Sequence, residues 1–308
     1  MNKDNKLGYL AVISSNIIIG LAFLFTKKAV TATDPITTLF LRFSISFIVM
    51  SFAILFKIVK VNFKVKDLKK LIFMSTFFPS GFFLFQSFGL KYASSSEAGI
   101  ISALTPAIIL ILSIIFLKEK TNIKQILSII LSIFGVIYIF SMKGMSLNLD
   151  NFLGLFLIFI SCICFCIFSI LSRKFSKEFT PVEICFFMQL FGFIVFLTMF
   201  IFNGNDFSNT VLLLKDVSLI GPILYLSVLS TLVTTILNNY SLSKIEASKV
   251  GVFFNISTIV SIAAGALILN EQIFYYHIIG CVLIIMGIFG ANYFSPKIET
   301  KHISKKSA

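Results

Sequence analysis

The chain has 308 residues, of which 57% are hydrophobic and 13% are charged, and its formal net charge is +13. Soluble domains ordinarily carry about 25% charged residues, so this chain has too few polar side chains to cover a water-facing surface. Composition therefore excludes a soluble globular fold and predicts that most of the chain lies in a lipid bilayer. The positive charges cluster in short segments between apolar runs, which is typical of membrane loops and not of a nucleic-acid-binding surface.

Ten apolar runs follow one another along the chain, each close to the twenty or so residues that cross a hydrocarbon core of about 30 Å as a helix. The first five are Leu7–Phe25, Ile36–Phe56, Leu71–Leu90, Ala98–Leu117 and Ile123–Phe140. The second five are Phe152–Leu171, Val182–Phe202, Leu219–Asn239, Val250–Leu269 and Ile273–Tyr293. The predicted fold class is an all-α membrane protein of ten transmembrane helices.

Lysine and arginine are divided unequally between the two sides that these spans define. The amino terminus, every second loop and the carboxyl tail carry about 19 of them, whereas the remaining loops, which include Lys27, Lys28, Lys91 and Lys143, carry about five. Because cytoplasmic loops are enriched in basic residues, the chain is predicted to be a multi-pass protein of the cell (plasma) membrane, the inner membrane, with both termini in the cytoplasm.

The two halves of the chain resemble each other. Matched residues include Gly8 with Gly154, Lys27-Lys28 with Arg173-Lys174, Pro35 with Pro181, Leu90 with Leu242, Gly99 with Gly251, and Glu119 with Glu271. The prediction is two five-helix repeats, residues 1–146 and residues 147–308, the second with a short basic tail. Since five is odd, the second repeat enters the membrane from the opposite side. Such inverted repeats are typical of secondary transporters, whose central site opens to each face in turn.

Two stretches carry a resemblance to a known family. Tyr92–Gly99 reads Tyr-Ala-Ser-Ser-Ser-Glu-Ala-Gly, followed by Leu104-Thr105-Pro106 and Phe116-Leu117-Lys118-Glu119. Ile245–Gly251 and Leu269-Asn270-Glu271 form the second copy. They resemble the fourth and ninth spans of the drug/metabolite transporter superfamily, in particular its EamA-like branch. Thr258 stands where the first copy has Pro106, which predicts a proline kink in one half only.

The resemblance implies a transporter that exports or exchanges metabolites such as amino acids, without defining the substrate. It also implies a cavity walled by spans one, three, four, six, eight and nine. Amides on those spans are the candidate substrate-binding residues: Asn16, Gln86, Asn238, Asn239 and Asn255. Polar groups at membrane depth ordinarily face the bundle interior, and hydrogen bonding between helices is the alternative role for each of them.

Three charged residues are candidates for gate or helix-end groups. Arg42 lies about two turns into the second span, where it either stabilises packing or extends to the headgroups. Glu97 and Lys249 open the fourth and ninth spans at equivalent repeat positions with opposite sign. For this pair, a role as helix-end charges and contact with substrate both stay open.

No catalytic residue, metal site or cofactor is predicted. The five cysteines lie inside apolar runs and the chain has two histidines, so neither a zinc site nor an intramembrane enzyme is favoured. The predicted function is alternating-access transport of a small molecule across the lipid bilayer. The alternatives are a channel, a structural membrane protein or, less favoured, an intramembrane enzyme.

No carboxylate lies deep in a span, which favours exchange over proton coupling. The oligomeric state is left open, and a monomer is compatible with the sequence.

Overall fold

The computed structural model describes residues 3–59, 68–118, 121–143, 149–213, 215–269 and 274–294. The regular structure in these residues is helical. Spans 1 to 5 are Lys3–Ala32, Pro35–Leu55, Leu68–Tyr92, Ser95–Leu117 and Ile123–Lys143. Spans 6 to 10 are Leu149–Phe175, Pro181–Phe202, Leu219–Lys244, Ala247–Leu269 and Tyr275–Tyr293. A short helix, Phe207–Leu213, lies between spans 7 and 8.

The all-helical, ten-span prediction is confirmed. In the described residues eight helices are long and apolar enough to cross a membrane, and spans 5 and 10 contain shorter apolar helices. Span 1 continues to Ala32, so Lys27 and Lys28 lie within the helix and not in a loop as predicted. The loop lysines at 60–66, Glu119, Asn270-Glu271, the basic tail and the predicted repeat boundary at 146/147 lie outside the described residues.

Side-chain caps determine where spans 2 and 7 begin. Asp34 Oδ1 accepts hydrogen bonds from the backbone N–H groups of Ile36 (2.9 Å) and Thr37 (3.0 Å). Thr180 and Glu183 form a reciprocal capping box at the start of span 7. In both places proline occupies the first helical position, where its missing N–H leaves no intrahelical bond unmade.

Interruptions occur at matched places in the two halves. Spans 3 and 8 each contain a π-helical segment, Thr76–Gly81 and Tyr225–Val233. Span 4 is α-helical to Ser102 and again from Thr105, and span 9 is α-helical to Val252 and again from Asn255.

Both halves contain a break, and the break in span 9 occurs without proline, so proline stands at the break in one half only. At both breaks the backbone tightens to bonds between residues three apart, from Ala103 N–H to Ile100 O and from Phe253 N–H to Val250 O, each 3.1 Å. Such bonds preserve the backbone hydrogen bonding through the change of direction.

Glycines allow close helix crossings, most clearly between spans 5 and 10. A Cβ added at Gly287 would lie 2.6 Å from Ser128 O and 2.7 Å from Ser132 Cβ, both on span 5. Span 1 packs on spans 8 and 9, and span 6 packs on spans 3 and 4. Spans 1 and 6 are equivalent in the two repeats, and each therefore makes equivalent contacts with the other half of the chain.

We expect Gly287→Ala to lower the free energy of unfolding by about 1–3 kcal/mol, because the added methyl group forces spans 5 and 10 apart. The measurement is the midpoint of thermal unfolding in detergent. Gly221→Ala is the matched control, since a Cβ there meets nothing within 4 Å. Equal midpoints for the two variants would contradict the close crossing.

Candidate functional site

A small cavity of about 50 Å³ lies among spans 1, 2, 3, 4, 6, 8 and 9, near the middle of their length. We call it the central cavity. Polar side chains on its wall include Arg42, Gln86, Ser102, Thr105, Ser230, Thr234, Asn238 and Ser257. Its apolar wall includes six phenylalanines: Phe23, Phe78, Phe82, Phe83, Phe165 and Phe254. At this volume it has room for a few water molecules.

Arg42 is the charged residue in the wall of the central cavity. Its side chain is 1% exposed, so it does not extend to the headgroups. Its Nε donates to Thr231 Oγ1 at 2.5 Å, and its Nη2 donates to Ser230 Oγ at 2.8 Å. The guanidinium carbon lies 4.1 Å from the ring centre of Phe83, within cation–π distance.

Two of the five predicted amide residues line the central cavity, Gln86 and Asn238. Asn238 Oδ1 accepts a hydrogen bond of 2.8 Å from Ser15 Oγ, which joins spans 8 and 1.

The other three amides are buried in contacts between or within helices. Asn16 Nδ2 donates to Val12 O at 2.7 Å, and Asn239 Oδ1 accepts from Ser172 Oγ at 2.6 Å. Asn255 Nδ2 donates to Ser132 Oγ of span 5 at 2.8 Å, so its side chain bonds away from the central cavity. These contacts correspond to the alternative role of hydrogen bonding.

The sequence reasoning missed the hydroxyl groups of span 8 that lie in the wall. Ser230, Thr234 and Asn238 follow one another at intervals of four residues, which places them on one helix face. That spacing was the available signal. It identifies one face of span 8 as polar, although membrane helices also use hydroxyls simply to bond their own backbone, as Thr234 Oγ1 does to Ser230 O.

A larger cavity of about 840 Å³ opens at the end of the bundle where spans 1 and 2 are joined. We call it the vestibule. Its wall includes Lys27, Lys28, Thr31, Tyr92, Glu97, Asn151 and Leu269. These residues belong to spans 1, 3, 4, 6 and 9, all of which also wall the central cavity. The two cavities are therefore bordered by the same set of helices.

Glu97 is both a helix-end group and part of the vestibule wall. Its carboxylate accepts from Ser94 N–H at 2.8 Å while Ser94 Oγ accepts from Glu97 N–H at 3.1 Å, a capping box for span 4. Asn151 Nδ2 of span 6 lies 3.3 Å from the same carboxylate. Lys249 occupies the equivalent position at the start of span 9, where it pairs with Glu246 at 3.0 Å.

Apolar side chains fill the opposite end of the bundle, which we call the closed end. The largest apolar cluster extends from the middle of the bundle into this end, where its members include Leu71, Met74, Phe168, Leu242 and Ile245. The rings of Tyr9 and Phe253 lie 5.6 Å apart across spans 1 and 9. At the surface, Lys70 Nζ of span 3 meets Glu178 Oε2, just after span 6, at 2.5 Å.

Two basic side chains hold the ends of spans 3 and 8 in the same way. Lys27 Nζ donates to the carbonyls of Leu90 (2.8 Å), Lys91 (3.3 Å) and Ala93 (2.9 Å). Arg173 Nη1 donates to Leu242 O at 2.7 Å. A helix leaves its last carbonyls without intrahelical donors, and a cation there satisfies them. The repeat pairs Lys27 with Arg173 and Leu90 with Leu242, so one contact occurs twice, at opposite ends.

The profile of the EamA-like transporter family matches the chain twice, over residues 6–141 and residues 152–293. The chain belongs to this family. Its EamA-like fold is a multi-pass membrane fold of two repeats, and the family's members are membrane transporters.

Relatives and a solved structure agree with this. An uncharacterized transporter of Bacillus subtilis (strain 168), YcxC, is 38% identical over 287 residues, covering 92% of each chain. An uncharacterized transporter of Archaeoglobus fulgidus is 29% identical over 270 residues, covering 88% of this chain and 93% of that one. A crystal structure of a protein at 16% identity superimposes with a TM-score of 0.74, over 97% of this chain and 99% of that one, and shows the fold alone.

We expect Lys27→Met to lower the free energy of unfolding by about 1.5–3 kcal/mol, because the carbonyls at the end of span 3 lose a charged donor. The midpoint of thermal unfolding in detergent measures the loss. The adjacent Lys28→Met is the control, since Lys28 is exposed and exposed substitutions usually change stability by less than about 0.5 kcal/mol. A Lys28→Met loss as large as that of Lys27→Met would argue against the capping role.

Proposed function

We propose that the protein is an exporter or exchanger that carries a small organic metabolite, such as an amino acid, across the plasma membrane by alternating access. The observation that carries the proposal is the arrangement of the two cavities. A vestibule of about 840 Å³ and a central cavity of about 50 Å³ are walled by shared helices, and apolar side chains pack at the other end.

This arrangement favours a carrier over a channel. A channel needs a continuous pore when open, with sites from which the ion or solute can leave to either side. Here the path narrows to a small cavity at mid-span and ends in packed phenylalanines. The paired interruptions of spans 3 and 8 and of spans 4 and 9 supply equivalent bending points in each half, as exchange between two symmetry-related shapes requires.

The distribution of basic residues supports an orientation for the cavities. If the lysine-rich side is cytoplasmic, the vestibule faces outward and the closed end faces the cytoplasm. The structure then corresponds to an outward-facing state. The complementary inward-facing state would open the closed end and close the vestibule.

The placement of acidic residues supports exchange over proton coupling. A proton-coupled carrier ordinarily holds a carboxylate deep within a span. In the part of the chain that the structure describes, the acidic residues that touch a span lie at or near its ends, as Glu97, Asp150, Glu183 and Glu246 do. No group of this kind is therefore available at the central cavity to take up the proton.

We expect Lys70→Glu to raise the inward-facing population several-fold, because it replaces an ion pair at the closed end by two like charges. The assay uses native Cys162, which lines the central cavity, with the other four cysteines replaced by alanine. In inside-out vesicles, the rate at which a membrane-impermeant thiol reagent labels Cys162 should rise by that factor.

Two controls separate this shift from general loosening. The swapped pair Lys70→Glu with Glu178→Lys should restore the original labelling rate. In right-side-out vesicles, the Lys70→Glu variant should be labelled no faster than the parent. Faster labelling from both sides would indicate local unfolding, and an unchanged rate from the cytoplasmic side would contradict alternating access.

Transport kinetics separate the two roles of the amides. Comparing metabolites inside and outside cells with and without the protein identifies the transported solute. For that solute we expect Asn238→Leu to raise the half-saturation concentration several-fold, because the Asn238 amide lines the central cavity. Asn255→Leu should leave it unchanged and lower the unfolding midpoint slightly, since Asn255 bonds to Ser132. The reverse pattern would favour the sequence-based expectation that Asn255 binds substrate.

A further inference from the structure

The guanidinium of Arg42 is buried with incomplete partners. Its Nε and Nη2 each donate to a hydroxyl group of span 8, Thr231 and Ser230. Its third nitrogen, Nη1, is buried and has no hydrogen-bond partner in the described structure. Hydroxyl groups supply lone pairs but no charge, so the positive charge of Arg42 is solvated without being neutralised.

A charge in this state is strongly disfavoured. Removing an ion from water without an opposite charge is among the largest destabilising terms in a protein interior, and a membrane-embedded arginine ordinarily faces a partner or a wet cavity. The described wall of the central cavity includes no acidic residue. The surroundings of Arg42 therefore lack a resident counter-charge but border a space that a ligand can enter.

The charge balance of the wall limits what that ligand can be. One arginine faces neutral amides, hydroxyls and phenylalanine rings. A monoanion neutralises the site. A dianion leaves one negative charge without a partner, and an ammonium group, whether on a cation or on a zwitterion, meets no carboxylate. Nη1 offers N–H donors without a partner, and a carboxylate oxygen is a suitable charged acceptor for them.

The other residues of the cavity wall indicate which chemical group is attached to the carboxylate of the ligand. Phe78, Phe82, Phe83, Phe165 and Phe254 offer ring faces and edges around the cavity. Such rings contribute apolar contact area and pack well against other rings. An apolar, ring-sized group attached to the carboxylate would match this wall better than a sugar or a nucleotide.

We propose that Arg42 is the anion-binding residue of the central cavity and that the transported solute is an organic monocarboxylate with an apolar or aromatic body. This rests on the proposed function, because a cavity of about 50 Å³ must widen during the transport cycle to admit such a molecule. It narrows the solute class from metabolites in general. An amino acid binds less well than its deaminated counterpart, since its ammonium lacks a partner.

The test is ligand-induced stabilisation of the purified full-length protein in detergent. The probes are benzoate and phenylacetate, each compared with its neutral amide, and phenylacetate compared also with phenylalanine and phenethylamine. We expect the carboxylates to raise the unfolding midpoint by several degrees at saturation. The amides and phenethylamine should have no effect, phenylalanine should have a smaller effect, and sodium chloride at equal ionic strength is the control for salt.

Two variants assign the effect to Arg42. Arg42→Gln should abolish the stabilisation by carboxylates, and Arg42→Lys should retain part of it. Without ligand, Arg42→Gln should unfold at the same or a higher temperature than the parent, because an unneutralised buried charge has been removed. A purely structural arginine would instead give a lower midpoint. If Arg42→Gln does not fold, the proposal is judged on Arg42→Lys, in which carboxylate stabilisation must be reduced.

Three results would overturn the proposal. They are equal stabilisation by amides and carboxylates, stabilisation by phenethylamine, and full stabilisation of Arg42→Gln by carboxylates. Stabilisation by none of these probes also counts against it. Binding in detergent does not depend on alternating access, whereas Cys162 labelling does. Carboxylate binding without a shift in Cys162 labelling would therefore uphold the anion site and contradict the transport cycle.

Discussion

Backbone hydrogen bonding in lipid is the constraint on which the rest of this structure depends. The hydrocarbon core offers no donors or acceptors, so a break in a spanning helix is tolerated only where protein or a cavity satisfies the freed groups. The breaks in spans 4 and 9 meet this requirement with bonds between residues three apart. The ends of spans 3 and 8 meet it with the side chains of Lys27 and Arg173. Polar groups therefore lie inside the bundle at these helix breaks and helix ends.

The two halves of the chain make equivalent contacts, but the two ends of the bundle are packed differently. Lys27 with Leu90 and Arg173 with Leu242 are the same contact made at opposite ends. The vestibule lies beside the first pair, whereas at the end that contains Leu242 apolar side chains of the largest cluster pack together. Equivalent backbones with unequal filling are what an inverted-repeat carrier shows in one of its two end states. In the proposed transport cycle, the unequal packing of the two ends corresponds to one of these end states.

Charge is placed in three distinct ways. Glu97 and Lys249 begin spans 4 and 9, where each is engaged by the helix start or by a near neighbour. Lys27 and Arg173 stabilise helix ends. Arg42 differs from both groups because it lies at mid-span beside hydroxyls that cannot neutralise it. These surroundings are the basis for the proposal that Arg42 binds an anion.

The sequence by itself determined the fold class, the number of spans and the repeat. Each of these depends on properties that act locally, such as the length of apolar runs, proline and cap residues at Asp34 and Thr180, and residue matches between halves. The family resemblance carried by Tyr92–Gly99 and its second copy was of the same kind. These features require no knowledge of which helix faces meet.

Only the tertiary structure decided which polar residues share a cavity. Asn16, Asn238 and Asn255 are the same residue type within predicted spans, yet Asn238 lines the central cavity while Asn255 bonds to Ser132. Side-chain direction depends on how helices rotate and cross, and the break in span 9 at Phe253-Phe254 changes that direction just before Asn255. The partners of Arg42 could not be predicted for the same reason. Its depth could be counted along the span, but its hydroxyl partners lie nearly two hundred residues away and are brought to it only by the packing of span 2 on span 8.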